Sequence, residues 1–233
     1  MRRTSAAKIA LKVILLTIIP AVLHSADVDG RVRIHGISTK EKVAPPAYQL
    51  RGPVVAPVSG NNTGTSEYDN VVVYLAGDNL PPGQPVKVEI AQRDRHFEPE
   101  MVAIPPGSTV SFPNLDPIFH NVFSLSKVKQ FDLGYYPQGR TKAVVFEGSG
   151  IVQVYCHLHP NMYAAIVVVG SKWYSQPAAD GTFHFKNVPA GKYQLIAWHK
   201  TSGRYQSALE VPANGSVPVD IELSVHGSMQ ARK

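Results

Sequence analysis

The sequence predicts an all-β protein. Beyond residue 26, nearly every periodic segment either alternates apolar with polar residues or forms a short β-branched run, and none has helical spacing over three turns. Turn formers bound these segments, and the chain of 233 residues contains 18 Gly and 19 Pro. Hydrophobic residues make up 44% of the chain, enough to bury a sizeable core. We therefore expect β-sandwiches.

Residues 1–26 have the pattern of an export signal. Three basic residues open the segment, an apolar run of 15 residues follows at 9–23, and Ser25 and Ala26 offer a small-residue cleavage point. The run contains a lysine and is shorter than the roughly 20 residues that span a bilayer. We expect a cleaved signal, a periplasmic or secreted protein and no membrane span after cleavage. An uncleaved anchor is the alternative.

The positive charge lies mostly in that segment. Removing it would leave 19 basic and 17 acidic residues, so the net charge would fall from +6 to +2. No block of like charges remains, and we therefore expect no nucleic-acid partner. Cys156 is the single cysteine, so no intramolecular disulfide can form. In an exported protein, its thiol is open to oxidation unless something occupies it.

The predicted strands fall into a central group and a tail. A first strand is expected at 71–75, and the central strands are expected at 86–90, 109–112, 144–146, 151–156 and 164–169. A breaker-rich segment at 81–85 lies between the first strand and the central group, and a second at 170–179 leads into the tail. In the tail, the Asp180-Gly181 turn opens a hairpin, and strands are expected at 182–185, 193–197, 206–211 and 217–223. Residues 44–66 are expected to form a long loop or insertion.

A cluster of soft ligands surrounds the cysteine. Cys156, His159 and Met162 lie within seven residues, and His120 precedes the cysteine by 36 positions. Two His and one Cys with a weak axial Met form the set of a blue copper site. Alternation along 152–156 places the sulfur on the inward face, and Pro160 ends the strand, so the loop can return to it.

Other interpretations remain for these residues. Taken one at a time, a Cys or Met is more often part of a core, and a His beside a Phe is more often a satisfied polar residue. The joint spacing in an exported β-protein favours a metal site. Zinc is the competing metal, although thioether is a poor zinc ligand.

Several motifs resemble those of known families. Residues 86–169 resemble a cupredoxin of the short-loop amicyanin and pseudoazurin-like branch, and the whole mature chain resembles bacterial proteins called methylamine utilization proteins. The matching motifs are Arg95-His96-Phe97-Glu98-Pro99, Val110-Ser111-Phe112-Pro113-Asn114, Asp116, His120-Asn121-Val122-Phe123-Ser124, Phe131-Asp132-Leu133-Gly134 and Cys156-x2-His159-x2-Met162.

The resemblance implies one type 1 copper ion. His120, Cys156 and His159 would be its strong ligands and Met162 its axial ligand, while Asn121 would tie the two ligand loops together by hydrogen bonds. His157 departs from the usual small or polar residue, and we interpret it as a surface residue. The implied function is one-electron transfer to a transient protein partner, without catalysis. Copper delivery without redox cycling is the main alternative, and a metal-free adhesive or carbohydrate-contacting sandwich is a weaker one.

The tail resembles a carboxypeptidase regulatory-like, or transthyretin-like, β-sandwich. At about 55 residues it is short for a sandwich. We therefore expect residues 27–80 to supply its first strands, with the cupredoxin domain at 85–170 inserted before the rest at 171–226. A string of separate domains with a loose N-terminal arm is the alternative.

Overall fold

The structure, a computed structural model, describes residues 24–36, 66–78 and 80–224. Within these ranges there are seventeen β-strands, and the one helical segment is a 3-10 turn at Glu67–Asn70. The predicted all-β class is confirmed. No helix in the described ranges is long and apolar enough to cross a membrane. The export segment before residue 24 and the predicted insertion before Ser66 lie outside the described residues.

Ten consecutive strands form a unit that we call the central sandwich. They are β3 (Lys87–Glu89), β4 (Ala91–Arg93), β5 (His96–Glu98), β6 (Met101–Ile104), β7 (Ser108–Pro113), β8 (His120–Ser126), β9 (Lys129–Tyr136), β10 (Thr141–Phe146), β11 (Gly150–Tyr155) and β12 (Tyr163–Val168). One sheet has the order β6-β12-β11-β8-β9, a second has the order β10-β7-β3, and β4 pairs with β5 as a hairpin. Phe112 and Phe146 of the second sheet pack on Val152, Val154 and Ile166 of the first.

The remaining strands form a second unit, the outer sandwich. They are β1 (Ser25–His35), β2 (Val71–Ala76), β13 (Tyr174–Ser175), β14 (Thr182–Pro189), β15 (Gly191–His199), β16 (Gly203–Val211) and β17 (Ser216–Ser224). Its sheets have the orders β14-β1-β17 and β13-β2-β15-β16. Val28 and Phe183 of the first sheet share a core with Val73 and Leu195 of the second.

The outer sandwich combines strands from both ends of the chain. β1 pairs antiparallel with β14 and parallel with β17, and β2 pairs antiparallel with β15. The central sandwich lies between β2 and β13 in the sequence. The domain limits themselves stay a prediction. β1 begins at Ser25, inside the segment expected to be removed on export, and Ala26 is buried.

The two sandwiches pack against each other through apolar sheet faces. Alternation along β2 points Val73 into the outer core and Val72 towards the central sandwich. In β12, Ile166 points into the central core. Val167 points the other way and packs with Val72 and Trp198 in an apolar cluster between the two sandwiches. Strands buried on both faces have near-continuous apolar sequences, which explains the runs at 71–75 and 164–169.

A charged contact borders this interface. The Lys200 side chain is only 9% exposed, and its ammonium group contacts the carboxylate of Glu100 and lies 5.1 Å from the ring centre of Tyr163. The amide of Ala165 also donates to the backbone carbonyl of Glu100 at 2.9 Å. The outer sandwich therefore contacts the sheet that leads to Cys156.

Candidate metal centre

Two neighbouring strands bring His120 and Cys156 together. His120 is the first residue of β8, and Cys156 directly follows β11. These strands pair through Phe123 and Tyr155, so the start of one lies beside the end of the other. Both His120 and Cys156 are fully buried, and Cys156 shares the central core with Val152 and Val154, as alternation along the strand requires.

The loop after Cys156 returns to the same place. The amide of Met162 donates to the carbonyl oxygen of His159 at 2.9 Å, which closes a turn before β12. Met162 is 1% exposed and belongs to the same core cluster as Cys156, while His159 is partly exposed. The fold thus brings the three predicted strong ligands together and buries the predicted axial residue in the adjoining core.

The donor atoms have the spacing that a metal ion needs. Cys156 Sγ lies 3.9 Å from Nδ1 of His120 and 3.7 Å from Nδ1 of His159, and the two Nδ1 atoms are 3.1 Å apart. With metal–nitrogen distances of about 2.0–2.1 Å and a metal–sulfur distance of about 2.3 Å, trigonal ligands lie about 3.5–3.8 Å apart. The two sulfur–nitrogen edges of 3.7 and 3.9 Å agree with this range to within about 0.1 Å, and the nitrogen–nitrogen edge of 3.1 Å is about 0.4 Å shorter. A small widening between the two rings would therefore fit the three donors to one ion, and their softness suits copper.

Asp116 holds the far side of the His120 ring. Nε2 of His120 donates to Oδ2 of Asp116 at 2.7 Å, and both side chains are almost inaccessible to water. The ring proton is therefore on Nε2, which leaves the Nδ1 lone pair directed towards Cys156 and His159. A carboxylate in this position is a common support for a metal-binding histidine.

The Asp116 carboxylate is itself held by backbone amides. Asp94 N donates to Oδ1 at 2.6 Å and Arg95 N donates to Oδ2 at 2.9 Å. Both residues have left-handed backbone conformations, with φ of 51° and 59°, in the turn between β4 and β5. Burial raises the pKa of Asp116, but the hydrogen bonds from Arg95, His120 and Asp94 outweigh it and hold the pKa below its ordinary value.

Asn121 connects three segments around the cysteine. Its backbone amide lies 3.5 Å from Cys156 Sγ, and its side-chain amide donates to Oδ1 of Asp132 at 2.6 Å. Its side-chain oxygen accepts from the backbone amide of His157 at 3.4 Å. Asn121 thus links β8, β9 and the loop after Cys156.

His159 and His157, both in the loop after Cys156, lie in different environments. Burial, and then the charges of His120 and Arg95, lower the pKa of His159, which favours the neutral imidazole that binds a metal. The side chain of His157 is 42% exposed and lies 3.6 Å from the carboxylate of Asp132. Its ring stacks on Phe123 with centres 3.8 Å apart, so His157 lies outside the donor cluster.

The sequence predicted the donor set but assigned no role to Asp116 or to the β4–β5 turn. An acidic residue four positions before His120 was the available signal. The spacing of Asp116 and His120 alone could not show their contact, because a separation of four residues in an irregular loop does not define a side-chain contact. The two amides that hold the carboxylate come from Asp94 and Arg95, about twenty positions earlier in the sequence.

Comparisons with solved structures find cupredoxins. A purple cupredoxin from Nitrosopumilus maritimus is 24% identical, with 35% of this chain and 99% of that chain covered and a TM-score of 0.33. A Cu(I) form of an amicyanin mutant is 16% identical, with 42% and 98% covered and a TM-score of 0.34. A copper-containing nitrite reductase from Thermus scotoductus SA-01 is 20% identical, with 59% and 28% covered and a TM-score of 0.34.

No protein-family model and no curated protein matches the chain. At such low TM-scores the structural likeness is no basis for assigning a function, which depends on the side chains at the site. The resemblances to methylamine utilization proteins and to a carboxypeptidase regulatory-like sandwich stay predictions.

Proposed function

We propose that this chain is an exported type 1 copper protein that carries single electrons between protein partners. The observation that carries the proposal is the donor triangle of His120, Cys156 and His159, with edges of 3.1, 3.7 and 3.9 Å. Met162 is buried in the adjoining core and would be the weak fourth ligand. A bound copper ion would supply a reversible change between Cu(II) and Cu(I).

The surrounding residues suit a site that holds its metal. Cys156, His120 and Met162 are 0%, 0% and 1% exposed, so water has little access to the donors. Strands β8 and β11 and the hydrogen bond that His120 donates to Asp116 keep the donor groups in place, which reduces their movement when the metal changes charge. A delivery protein needs an exchangeable site, and this burial therefore favours electron transfer over copper delivery.

His159 is the most accessible of the proposed ligands, and we propose that electrons pass through its outer edge. Leu115, Phe119 and Leu158 come from the two ligand loops and are 40%, 56% and 47% exposed. Apolar side chains on these loops suit brief contact with a partner, since transient redox complexes bury little surface. We propose a carrier rather than an enzyme, with a transient redox protein as its partner in the periplasm or outside the cell.

A spectroscopic experiment tests this proposal. The mature protein would be loaded with Cu(II) and its visible spectrum recorded before and after addition of ascorbate, with Cys156→Ser as the comparison. We expect an intense blue thiolate-to-copper band that ascorbate bleaches and ferricyanide restores, and no such band in the variant. Met101→Leu, a change at a buried methionine in the sandwich interface, is the control and should remain blue.

Other results would point to other functions. A colourless protein that binds Zn(II) more tightly than copper would refute the type 1 assignment. A blue protein that gives up copper to a chelator within seconds, and that cannot be cycled, would support copper delivery without redox change.

A further inference from the structure

A buried chain of hydrogen bonds runs from the β4–β5 turn to the proposed metal site. The amides of Asp94 and Arg95 donate to Asp116, and Asp116 accepts from Nε2 of His120. The Asp116 side chain is 8% exposed and that of His120 is 0% exposed. Charges in such an environment are weakly screened by water, so an anion here acts strongly on its neighbours.

A second set of bonds keeps Asp116 in place. Asn114 Oδ1 accepts from the backbone amide of Asp116 at 3.0 Å. The side-chain nitrogen of Asn114 donates to the carbonyl oxygens of Ile118 at 2.8 Å and Tyr136 at 3.0 Å. The loop between β7 and β8 is thus anchored on both sides of Asp116, and the carboxylate has little freedom to turn away.

We propose that Asp116 is a positioning residue that acts through His120 and favours the oxidised state of the bound metal. The proposal rests on the proposed function. Asp116 contacts Nε2, the ring nitrogen remote from the donor triangle, and is therefore not itself a ligand. It fixes the proton on Nε2, directs the Nδ1 lone pair at the metal, and places one negative charge a single ring away.

The charge distinguishes the two oxidation states. Cu(II) carries one more positive charge than Cu(I), so a nearby anion stabilises the oxidised form more. Loss of that anion should weaken binding of Cu(II) more than binding of Cu(I) and therefore raise the midpoint potential. If Asp116 only supported the fold, its loss would weaken binding of Cu(II) and of Cu(I) to the same extent.

Asp132 offers a matched control. It is also a carboxylate that accepts from an amide near the site, with Asn121 Nδ2 at 2.6 Å. Unlike Asp116, it contacts neither histidine of the donor triangle, and its side chain is 56% exposed, so water screens its charge. Asp132→Asn removes the same charge from a position where the proposal gives it little effect.

The first test uses the metal-free protein. Nitrogen-15 NMR of histidine rings would determine which nitrogen of His120 carries the proton. We expect the Nε2–H form in the wild type and in Asp132→Asn, and a mixture of ring forms in Asp116→Ala. A pure Nε2–H form in Asp116→Ala would overturn the positioning role, whatever metal the protein binds.

The second test measures affinity for Cu(II) and Cu(I), and the midpoint potential, in the folded wild type and variants. For Asp116→Asn we expect a loss of Cu(II) affinity of about 10–100-fold and a smaller loss for Cu(I). The potential should rise by about 59 mV for each tenfold change in the affinity ratio. Asp116→Glu keeps the charge and should stay closer to the wild type, while Asp132→Asn should change little.

The results separate this inference from the proposed function. If Asp116→Asn lost equal affinity for Cu(II) and Cu(I), with an unchanged midpoint potential, the role of the charge would be overturned, and the protein would still be a blue copper protein. A wild type that forms no blue site would refute the proposed function, and the ring-proton experiment would still decide whether Asp116 orients His120.

Discussion

Gly181 lies so close to Val32 that a Cβ atom on Gly181 would be 2.2 Å from the Val32 carbonyl oxygen. The Val32 amide donates to the Gly181 carbonyl oxygen at 2.8 Å, and Gly181 has a φ of +85°. Val32 is in β1, near the start of the chain, and Gly181 is in the turn before β14. This contact therefore joins the two chain segments of the outer sandwich.

The same contact yields a stability prediction. Gly181→Ala should lower the free energy of unfolding by more than about 3 kcal/mol, because it combines a strained φ with a clash against backbone. Gly215→Ala is the matched control, since Gly215 has a φ of +89° and no atom within 4 Å of the added Cβ. It should cost only about 1–2 kcal/mol. Urea denaturation checks both variants. Equal losses of unfolding free energy in Gly181→Ala and Gly215→Ala would contradict the packing of β1 on this turn.

The interface between the sandwiches should contribute strongly to stability. Trp198 is 8% exposed and packs with Val72 and Val167, so Trp198→Ala should cost about 3–5 kcal/mol. Hydrogen exchange should also speed up in β2 and β12, which face each other across the interface. Trp173→Ala, within the outer core, is the comparison and should leave exchange in β12 nearly unchanged. Unchanged exchange in β12 of Trp198→Ala would contradict the packing.

His199 should make stability depend on pH. It is fully buried, its Nε2 donates to Glu67 at 2.9 Å, and its Nδ1 accepts from the amides of Thr201 and Ser202 at 3.2 and 3.1 Å. A protonated His199 ring would carry a hydrogen on Nδ1 and would therefore lose the bonds from these two amides. Burial lowers the pKa of His199, in spite of the bond to Glu67. The unfolded chain therefore takes up a proton at higher pH than the folded one, and stability should fall as pH drops below about 6.5.

Denaturant midpoints between pH 5 and 7.5 check this dependence. His199→Gln should be less stable than the wild type at pH 7 but should change less between pH 7 and pH 5. His184→Gln is the control, because the His184 side chain is 61% exposed. A slope in His199→Gln as steep as that of the wild type would show that other groups cause the pH dependence.

Met162 should tune the potential of the proposed copper site. In Met162→Gln, a harder oxygen donor favours Cu(II), and the midpoint potential should fall. In Met162→Leu the thioether donor is lost and the potential should rise. A tenfold change in the affinity ratio corresponds to about 59 mV. Voltammetry of both variants and of Met101→Leu checks this, and a Met162→Gln potential equal to that of Met101→Leu would exclude Met162 as a ligand.

Local pattern was enough to predict the all-β class and several strands. The run predicted at 71–75 became β2 at Val71–Ala76, and the segment predicted at 151–156 became β11 at Gly150–Tyr155. Strand β8 has no such signal. It contains the buried polar residues His120, Asn121 and Ser124, which interrupt the alternation. The side chains of His120 and Asn121 have their partners, Asp116 and Asp132, outside the strand, and sequence periodicity cannot show those partners.

The proposed donor types and the seven-residue span from Cys156 to Met162 follow from the sequence alone, because alternation and a short loop fix which side chains can return to the sulfur. The sequence also contained the apolar runs that cover two faces of β2 and β12. Two further relationships follow from the three-dimensional fold alone: these runs face each other, and Asp94 and Arg95 hold Asp116 against His120. Such contacts depend on the order of strands within the sheets and on the packing of their faces, and both are set by the whole chain rather than by local spacing.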